Sequence, residues 1–270
     1  MTLAIDLRDK VILVCGCARG GIGGATARRA AEAGATIIAL DHTQSLVDET
    51  VADIKAAGGE AYGIVCDLTD PSQTDPLIAA ITAKHGRLDG IANVAGGTRE
   101  GEWKPLDETS TESFRQTLNL NLEYVFRLCR DAAREWISRD ERGSLVNVGS
   151  VSSLTSAPWH GPYGAAKSGI SALTRTMANE WWEFGIRANT VNPGGVASER
   201  VMKRVVPDNV DQAAGGVEFT TVDEMAYGII FLLSDLANGI SGQTLTIDRA
   251  LSTKFCAGAR KSRKALLQGS

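Results

Sequence analysis

The sequence predicts a single α/β domain built on a doubly wound, seven-stranded parallel sheet with helices on both faces. Three observations lead to this prediction. The 270 residues, 43% of them hydrophobic, suit one large domain with a sizeable core. Short apolar segments alternate with helical segments along nearly the whole chain. No linker, repeat or change of composition divides it, and strands joined by helices require crossovers and therefore a parallel sheet.

Seven segments have the character of strands buried on both faces, because they are short, rich in Val and Ile, and almost continuously apolar. They cover residues 11–15, 35–40, 61–66, 88–94, 144–148, 186–191 and 244–247. The clearest helices cover residues 108–139, 163–184 and 222–234. Residues 198–221 have no clear period, and irregular stretches of this kind are often lids or binding loops.

The domain is predicted to span residues 1–250 and to be followed by a basic tail over residues 251–270. The tail contains five Lys and Arg residues and no acidic residue. This composition is typical of a solvated terminus.

Composition and charge exclude several classes of protein. The formal net charge of -4 argues against nucleic acid or an anionic membrane as a partner. No apolar run approaches the roughly 20 residues that span a bilayer, and acidic residues stand where a secretory signal would be basic. We therefore expect a cytoplasmic protein. The five scattered cysteines fit reduced thiols in the core, and no second Cys or His cluster suggests a metal site.

A glycine-rich turn follows the first strand. Gly16 ends that strand and a helix is predicted from about Gly23, so backbone N–H groups and the positive end of a helix meet at one point. This arrangement suits an anion such as a pyrophosphate, which glycine allows the backbone to approach. A purely structural turn is the alternative.

Aspartates follow the next two strands. Asp41 stands where a dinucleotide-binding fold places an acceptor for the adenosine ribose hydroxyls. Asp67 stands where its side chain could reach the adenine edge. Either residue could instead cap the helix that follows it.

Four further residues form a candidate catalytic set. Tyr163 and Lys167 are four apart on a predicted helix and so share a face. Ser150 follows the fifth strand, and Asn121 lies in the long predicted helix. Each residue alone has an ordinary structural interpretation, whereas their joint spacing is much more specific.

These motifs resemble those of the short-chain dehydrogenase/reductase family, and the resemblance extends from about Leu7 to Asp248. The glycine turn, residues 15–23, is similar to the family's T-G-x-x-x-G-I-G, and residues 240–243 are similar to its I-T-G-Q. The other matching motifs are Asn93-Val-Ala-Gly96, Asn147-Val-Gly-Ser150, Tyr163-Gly-Ala-Ala-Lys167 and Asn192-Pro-Gly194.

The resemblance implies a Rossmann-type fold and reversible hydride transfer between a nicotinamide cofactor and a carbonyl or secondary alcohol. Tyr163 would be the general acid–base, and Lys167 together with the positive nicotinamide of the oxidised cofactor would lower its pKa. Lys167 would also hold the nicotinamide ribose. Ser150 would bind the substrate oxygen, and Asn121 would position a water. The implied cofactor-binding residues are Gly16, Arg19, Gly21, Ile22, Gly23, Asp41, Asp67, Leu68, Asn93, Ala95, Gly96, Tyr163, Lys167, Pro193, Gly194, Val196 and Ser198.

The sequence departs from the family pattern at several points. Four residues rather than three separate Gly16 from Gly21, which leaves open which amide contacts which phosphate oxygen. Val94 replaces the second Asn of N-N-A-G. Asp248-Arg-Ala replaces D-G-G, which leaves open how the last strand packs.

The substrate is less narrowly defined. Trp159 and His160 lie between the catalytic serine and tyrosine. With Met202, Val205 and Val206 they indicate an apolar or cyclic substrate held beside Ser150. The alternative is that they only pack the loop. A set of loop cations could bind an anionic group, although such charges are usually solvated; it comprises Arg99, Arg200, Lys203 and Arg204.

Asp41 and Arg19 bear on the choice of cofactor. The Asp41 carboxylate would repel the 2′-phosphate of NADP, whereas Arg19 would attract it. We predict NAD, with an NADP-dependent reductase of keto or enoyl substrates as the alternative. A cofactor-sensing binding module and a structural subunit are further alternatives, and the intact catalytic set disfavours the former.

The family resemblance and the two long helices also predict a homo-oligomer, specifically a tetramer.

Overall fold

Seven parallel strands form one sheet in the order β3-β2-β1-β4-β5-β6-β7 in the computed structural model, which describes residues 4–99, 101–204 and 219–253. The strands are β1 Val11–Cys15, β2 Thr36–Asp41, β3 Glu60–Val65, β4 Gly90–Asn93, β5 Gly143–Val148, β6 Ile186–Pro193 and β7 Thr244–Ile247. This order confirms the predicted doubly wound class.

Helices cover both faces of the sheet. They are α1 Ile22–Glu32, α2 Gln44–Ala56, α3 Pro71–Thr74, α4 Leu77–His85, α5 Thr111–Leu118, α6 Tyr124–Ser138, α7 Gly161–Trp181, α8 Glu199–Arg204 and α9 Val222–Leu233. Alternate residues of β1 enter two cores, since side chains point to opposite faces of a strand. Leu13 packs with α4, α6 and α7, and Val14 packs with α1, α2 and α9.

The long helix differs from its prediction over residues 108–139. It begins at Thr111, because the Ser110 hydroxyl accepts a hydrogen bond from the Ser113 amide at 3.1 Å and caps the first turn. A π-helical segment, Asn119–Glu123, separates α5 from α6. Hydrophobic periodicity does not reveal such a segment, yet it sets the direction of the side chain at position 121. The predicted strand ends differ from the observed ones by about one or two residues, as is usual.

The end of β7 shows how the chain accommodates the change from D-G-G. Arg249 and Ala250 have φ values of 49° and 65°, in the left-handed region that favours glycine. The Asp248 carboxylate holds this turn by accepting hydrogen bonds from the amides of Ala250 and Ser252 at 3.0 and 2.7 Å. β7 therefore keeps its parallel pairing with β6.

The described cysteines are core residues. Cys15, Cys17, Cys66 and Cys129 are buried and unpaired, and burial raises the pKa of the Cys66 thiol to about 11 and that of Cys129 to about 12. Cys256 and the tail from Lys254 onward lie outside the described residues.

Over the three described ranges, no helix combines the length and apolar character needed to cross a membrane. The same ranges contain no group of three or more His, Cys, Asp or Glu side chains placed to bind a metal ion.

Candidate active site

The candidate site lies where the carboxyl ends of the central strands meet. Cys15 of β1 pairs with Asn93 of β4, which pairs in turn with Asn147 of β5, so these strands end at the same level. The loops that follow them therefore converge at one edge, where ligands bind in open α/β sheets.

The glycine turn after β1 is closed by backbone contacts. Gly16 has a φ of +85°, and a Cβ there would lie 2.7 Å from the backbone of Ala95. A Cβ on Gly23 would collide with the Gly16 carbonyl. The amides of Gly16 and Cys17 both donate to the Leu40 carbonyl, at 2.8 and 3.1 Å. Later in the turn, the Ala18 amide donates to Asp41 and the Gly21 amide donates to the Ala18 carbonyl, so the amides that can face an anion include those of the first turn of α1.

The longer turn brings Gly20 against the segment that follows β6. The Glu199 amide donates to the Gly20 carbonyl at 3.0 Å, and the Glu199 side chain packs over Gly20. Arg19 points elsewhere, because its Nε pairs with Asp53 of α2 at 2.8 Å. The added length is thus absorbed by contacts with α2 and with the start of α8.

Asp41 lies buried at the end of β2, beside the turn. Its carboxylate accepts hydrogen bonds from the Ala18 amide at 3.1 Å and from the His42 amide at 2.8 Å. His42 Nδ1 lies 2.7 Å from the same carboxylate. The N-cap residue of α2 is Thr43, so Asp41 does not cap that helix.

The loop at residues 67–69 is held from the long helix. Asn119 Nδ2 donates to the Thr69 carbonyl at 3.2 Å, and Arg127 Nη2 donates to the Leu68 carbonyl at 2.8 Å. Asp67 does not cap α3, because Asp70 does so through the Ser72 amide. Instead Asp67 accepts hydrogen bonds from the amide and hydroxyl of Thr69, and its side chain stays exposed.

Asn93 supports the floor of the site from below. Its side chain is buried, and Nδ2 donates to Asn147 Oδ1 at 2.9 Å, which links β4 to β5. Ala95 and Gly96 continue the chain above it, and the Tyr124 hydroxyl donates to the Ala95 carbonyl at 2.7 Å. The Asn93 side chain therefore acts on this loop through packing rather than from an exposed position.

Asn121, at the centre of the π-helical segment, holds the loop after β4. Its Oδ1 accepts a hydrogen bond from the Gly97 amide at 2.8 Å, and its Nδ2 donates to the Gly97 carbonyl at 2.9 Å. Nδ2 also donates to the Thr117 carbonyl at 3.0 Å. π-Helical segments are frequent at functional sites, and this one turns Asn121 towards the floor of the site.

Lys167 is a buried lysine that forms no ion pair with an acidic side chain among the described residues. Its Nζ donates to the Val148 carbonyl at 2.8 Å, and only 3% of the residue is exposed. Burial lowers the pKa of Lys167 to about 7. A buried lysine with so low a pKa indicates a functional role.

Tyr163 lies one helical turn before Lys167, whose Nζ is 5.5 Å from the centre of the tyrosine ring. Burial raises the pKa of Tyr163, while hydrogen bonding with Ser150 and the positive charge of Arg200 oppose the increase. The predicted lowering of this pKa involves an oxidised nicotinamide as well as Lys167, and it stays a prediction.

Ser150 is held rigidly beside this tyrosine. Its amide donates to Asn192 Oδ1 at 3.0 Å, and its hydroxyl accepts a hydrogen bond from the Ser152 amide at 3.1 Å. The structure thus brings Asn121, Ser150, Tyr163 and Lys167 together from the long helix, β5 and α7.

The segment after β6 completes the wall of the site. Val196 is buried and forms a β-bridge with Thr220, and Ser198 begins the turn into α8. Pro193 ends β6, and a Cβ on Gly194 would lie 2.7 Å from the side chain of Asp248.

The predicted substrate residues have different environments. The His160 ring stacks on Trp103 with a centroid distance of 4.3 Å and lies 5.9 Å from the ring of Tyr163. Trp159 and Met202 are exposed, and Val205 and Val206 lie outside the described residues. His160 Nδ1 donates to the Pro158 carbonyl at 2.8 Å, and Nε2 lies 3.4 Å from the Ser152 hydroxyl, from which it accepts a hydrogen bond.

Sequence reasoning missed Trp103. Its Nε1 donates to Thr98 Oγ1 at 2.9 Å, and the Lys104 amide donates to the Trp159 carbonyl at 2.8 Å. These bonds join the loop after β4 to the loop before α7. The only signal in the sequence was a single tryptophan in a polar loop.

The donor set fits an elongated dinucleotide. The glycine cradle suits phosphates, Asp41 offers a carboxylate for ribose hydroxyls, and Lys167 offers a donor at the other end. A side chain at Gly16 or Gly23 would fill the cradle.

Known proteins are similar to this chain in sequence and in fold. A family model described as enoyl-(acyl carrier protein) reductase matches residues 16–252. The chain is 35% identical over 245 residues to a (5R,7aS)-5-hydroxy-7a-methyl-1-oxo-2,3,5,6,7,7a-hexahydro-1H-indene-carboxyl-CoA reductase of Mycobacterium tuberculosis. The aligned residues cover 89% of this chain and 92% of that protein.

Two solved structures are also similar. One is NAD⁺-bound xylitol dehydrogenase, with a TM-score of 0.82 and 28% identity over 89% of this chain and 98% of that one. The other is 7α-hydroxysteroid dehydrogenase complexed with NADH and 7-oxo glycochenodeoxycholic acid, with a TM-score of 0.83 and 27% identity over 90% of this chain and 94% of that one.

Proposed function

Because the chain belongs to the short-chain dehydrogenase/reductase family, we propose that it transfers a hydride between NAD(H) and a secondary alcohol or ketone. The observation that carries the proposal is the convergence of Ser150, Tyr163 and buried Lys167 at the carboxyl edge of the sheet. Oxidoreductase chemistry with a nicotinamide cofactor is common to the relatives. The preference for NAD, the catalytic roles and the substrate are our proposals.

Tyr163 moves the proton in this scheme. The bound nicotinamide supplies or accepts the hydride. In ketone reduction the phenol gives its proton to the substrate oxygen, and burial favours the protonated phenol that this step requires. In alcohol oxidation the same oxygen takes the hydroxyl proton. The Ser150 hydroxyl stabilises charge on the substrate oxygen.

Lys167 and Asn121 support that step. Lys167 is expected to bind the nicotinamide ribose and, once protonated, to stabilise the phenolate. Asn121 holds Gly97 on both its amide and its carbonyl, so it orients the wall of the site. A water held by Asn121 would connect Lys167 to solvent.

NAD is favoured over NADP by the surroundings of Asp41. The carboxylate is held at the end of β2 by Ala18 and His42, so it does not swing away from an incoming phosphate. A unit charge pair 4 Å apart at an effective dielectric of 20 costs roughly 4 kcal/mol. Arg19, which would favour the NADP-dependent alternative, is engaged by Asp53.

The substrate is proposed to be an apolar or cyclic carbonyl compound. The stacked rings of Trp103 and His160 lead to Tyr163 and offer an aromatic wall. The printed names of two relatives, a hexahydroindene carboxyl-CoA reductase and a hydroxysteroid dehydrogenase, point to ring compounds as well.

We also propose a homotetramer in a reducing, cytoplasmic setting. α6 exposes Phe126 and Ile137 beside a groove of about 310 Å³ that α6 and α7 line together, which suits a second copy of the chain. The four described cysteines are unpaired, in keeping with that location. Light scattering at micromolar protein tests the assembly, and a monomer would refute it.

The hydride-transfer proposal is tested with Tyr163→Phe. We expect turnover of cyclic ketones with NADH to fall by about 10²–10⁴-fold, because the proton donor is lost. NADH affinity should change by less than about 3-fold, roughly 0.6 kcal/mol. Tyr227→Phe, the same change at an exposed tyrosine of α9, is the matched control. Retention of more than about a tenth of wild-type turnover with chemistry rate-limiting would rule out Tyr163 as the acid.

A further inference from the structure

Arg200 lies against the wall of the proposed active site. A Cβ on Gly97 would lie 2.5 Å from its Nη2 and 3.2 Å from its Nη1, so the guanidinium covers the Gly97 peptide. The side chain is exposed, and within the described residues no carboxylate forms an ion pair with it. A guanidinium is therefore available at this wall.

This position borders the reacting groups. The Gly97 peptide that Arg200 covers is the one that Asn121 holds through two hydrogen bonds. The positive charge of Arg200 also acts on Tyr163 and lowers its pKa against the effect of burial. Arg200 thus faces the same space as the catalytic tyrosine.

The acidic side chains nearby are already occupied. Glu102, in the loop after β4, accepts hydrogen bonds from the Arg99 amide at 2.5 Å and from the Thr117 hydroxyl at 3.3 Å. Glu199, the neighbour of Arg200, packs over Gly20 in the glycine turn. Among the described residues, these two carboxylates therefore contact groups other than the Arg200 guanidinium.

We propose that the substrate carries a carboxylate, which Arg200 binds while the apolar body of the substrate lies against Trp103 and His160. The planar guanidinium donates two parallel hydrogen bonds to a carboxylate, which sets orientation as well as affinity. The substrate class is then a cyclic oxo acid or hydroxy acid. This inference rests on the proposed function and narrows it from ketones and alcohols to their anionic members.

Binding tests the inference without any turnover. Cyclohexanecarboxylate and cyclohexanecarboxamide have similar shapes and differ in charge, and ligand-observed NMR measures the affinity of each for the NAD⁺-saturated protein. We expect the wild type to bind the carboxylate at least about 10-fold more tightly, as charge-assisted hydrogen bonds suggest. Arg200→Gln should remove this preference and leave the affinity for the amide unchanged.

Arg142→Gln is the matched control. Arg142 is an exposed arginine just before β5, at the amino ends of the strands and away from the site. Its replacement by Gln changes the net charge by the same amount. We expect its carboxylate preference to equal that of the wild type. An equal loss in both variants would overturn the inference, because the effect would then come from overall charge.

Turnover gives a second measurement. 4-Oxocyclohexanecarboxylate and its methyl ester are compared as substrates with NADH. Arg200→Gln should lower kcat/KM for the acid about 10–100-fold more than it lowers kcat/KM for the ester, and the additional loss should appear mainly in KM. Thermal melting of each variant confirms that it folds.

The outcomes separate this inference from the proposed function. A wild type that binds both NMR probes equally overturns the role of Arg200, whatever its turnover. Weaker NAD⁺ binding in Arg200→Gln with an intact carboxylate preference also overturns it, since Arg200 would then contact a cofactor phosphate. A carboxylate preference that depends on Arg200, without reduction of any ketone, supports the carboxylate site and refutes hydride transfer.

Discussion

The two halves of the sheet edge build their parts of the site in different ways. On the side of β1 and β2, the backbone forms the site: the glycine turn, the first turn of α1 and one buried carboxylate, Asp41. On the side of β4 to β6, side chains from separate elements converge, with Asn121 and Lys167 as examples. The first part depends on local spacing and the second on how distant elements pack.

This difference explains why the two halves respond differently to the insertion or loss of a residue. Every residue of a turn carries an N–H group, so a turn with one more residue can still present amides to an anion. A catalytic side chain has no such substitute. A shift of one residue in α7 would rotate Tyr163 by about 100° around the helix axis.

Lys167→Met should have the largest effect, because it removes the proposed contacts with both the tyrosine and the cofactor. We expect kcat to fall by about 10²–10⁴-fold and NAD affinity by about 10-fold, since the lysine is proposed to touch both phenolate and ribose. Steady-state kinetics and equilibrium binding measure the two effects. If turnover fell while NAD affinity stayed at the wild-type value, Lys167 would act on the tyrosine alone.

Asp41→Asn tests the carboxylate of the backbone half. The amide keeps the size of the side chain and loses the charge, so the ratio of kcat/KM for NAD to that for NADP should fall by about 10–100-fold. Asp53→Asn is the informative comparison, because it releases Arg19 and leaves Asp41 intact. An equal or larger gain in NADP use from Asp53→Asn would identify Arg19 as the determinant.

The pH dependence of stability reports the burial of Lys167 in the cofactor-free protein. Unfolded lysine keeps its proton up to a pH of about 10, whereas folded Lys167 has a pKa of about 7. Between these values the unfolded state binds more protons, so this lysine makes the free energy of unfolding rise with pH. The slope is at most about 1.4 kcal/mol per pH unit.

Urea unfolding from pH 7 to pH 9.5 measures this slope. Other groups titrate in the same range, so the comparison is with Lys167→Met, which should lack the contribution. Equal slopes in the two proteins would mean that folded Lys167 remains protonated.

Deletion of Gly20 should have the smallest effect. It restores the usual three residues between Gly16 and Gly21, and the change in loop entropy is below about 0.6 kcal/mol. We expect NAD affinity within about 3-fold of the wild type. Deletion of Ala165, between Tyr163 and Lys167, is the contrasting change and should abolish turnover. If deletion of Gly20 weakened NAD binding by more than about 30-fold, the glycine turn would not tolerate a change of length, and the two halves of the site would not differ as described.

The fold class could be read from the sequence because it depends on short-range patterns. Strands buried on both faces are continuously apolar, and helices between them leave few topologies open. The order of the seven strands agrees with that expectation. Strand ends were less accurate, since the last residues of a strand depend on neighbours that local sequence does not specify.

By itself the sequence determined the glycine turn, the position of Asp41 at the end of β2 and the four-residue spacing of Tyr163 and Lys167. Each of these depends on residues close together in the chain. Only the tertiary structure decided that Asn121 sits in a π-helical segment, that Trp103 stacks on His160 and that Arg200 covers Gly97. Burial in the folded protein without cofactor also raises the pKa of Tyr163. The physical reason is that burial, stacking and charge proximity depend on distances between elements far apart in sequence, which no local pattern encodes.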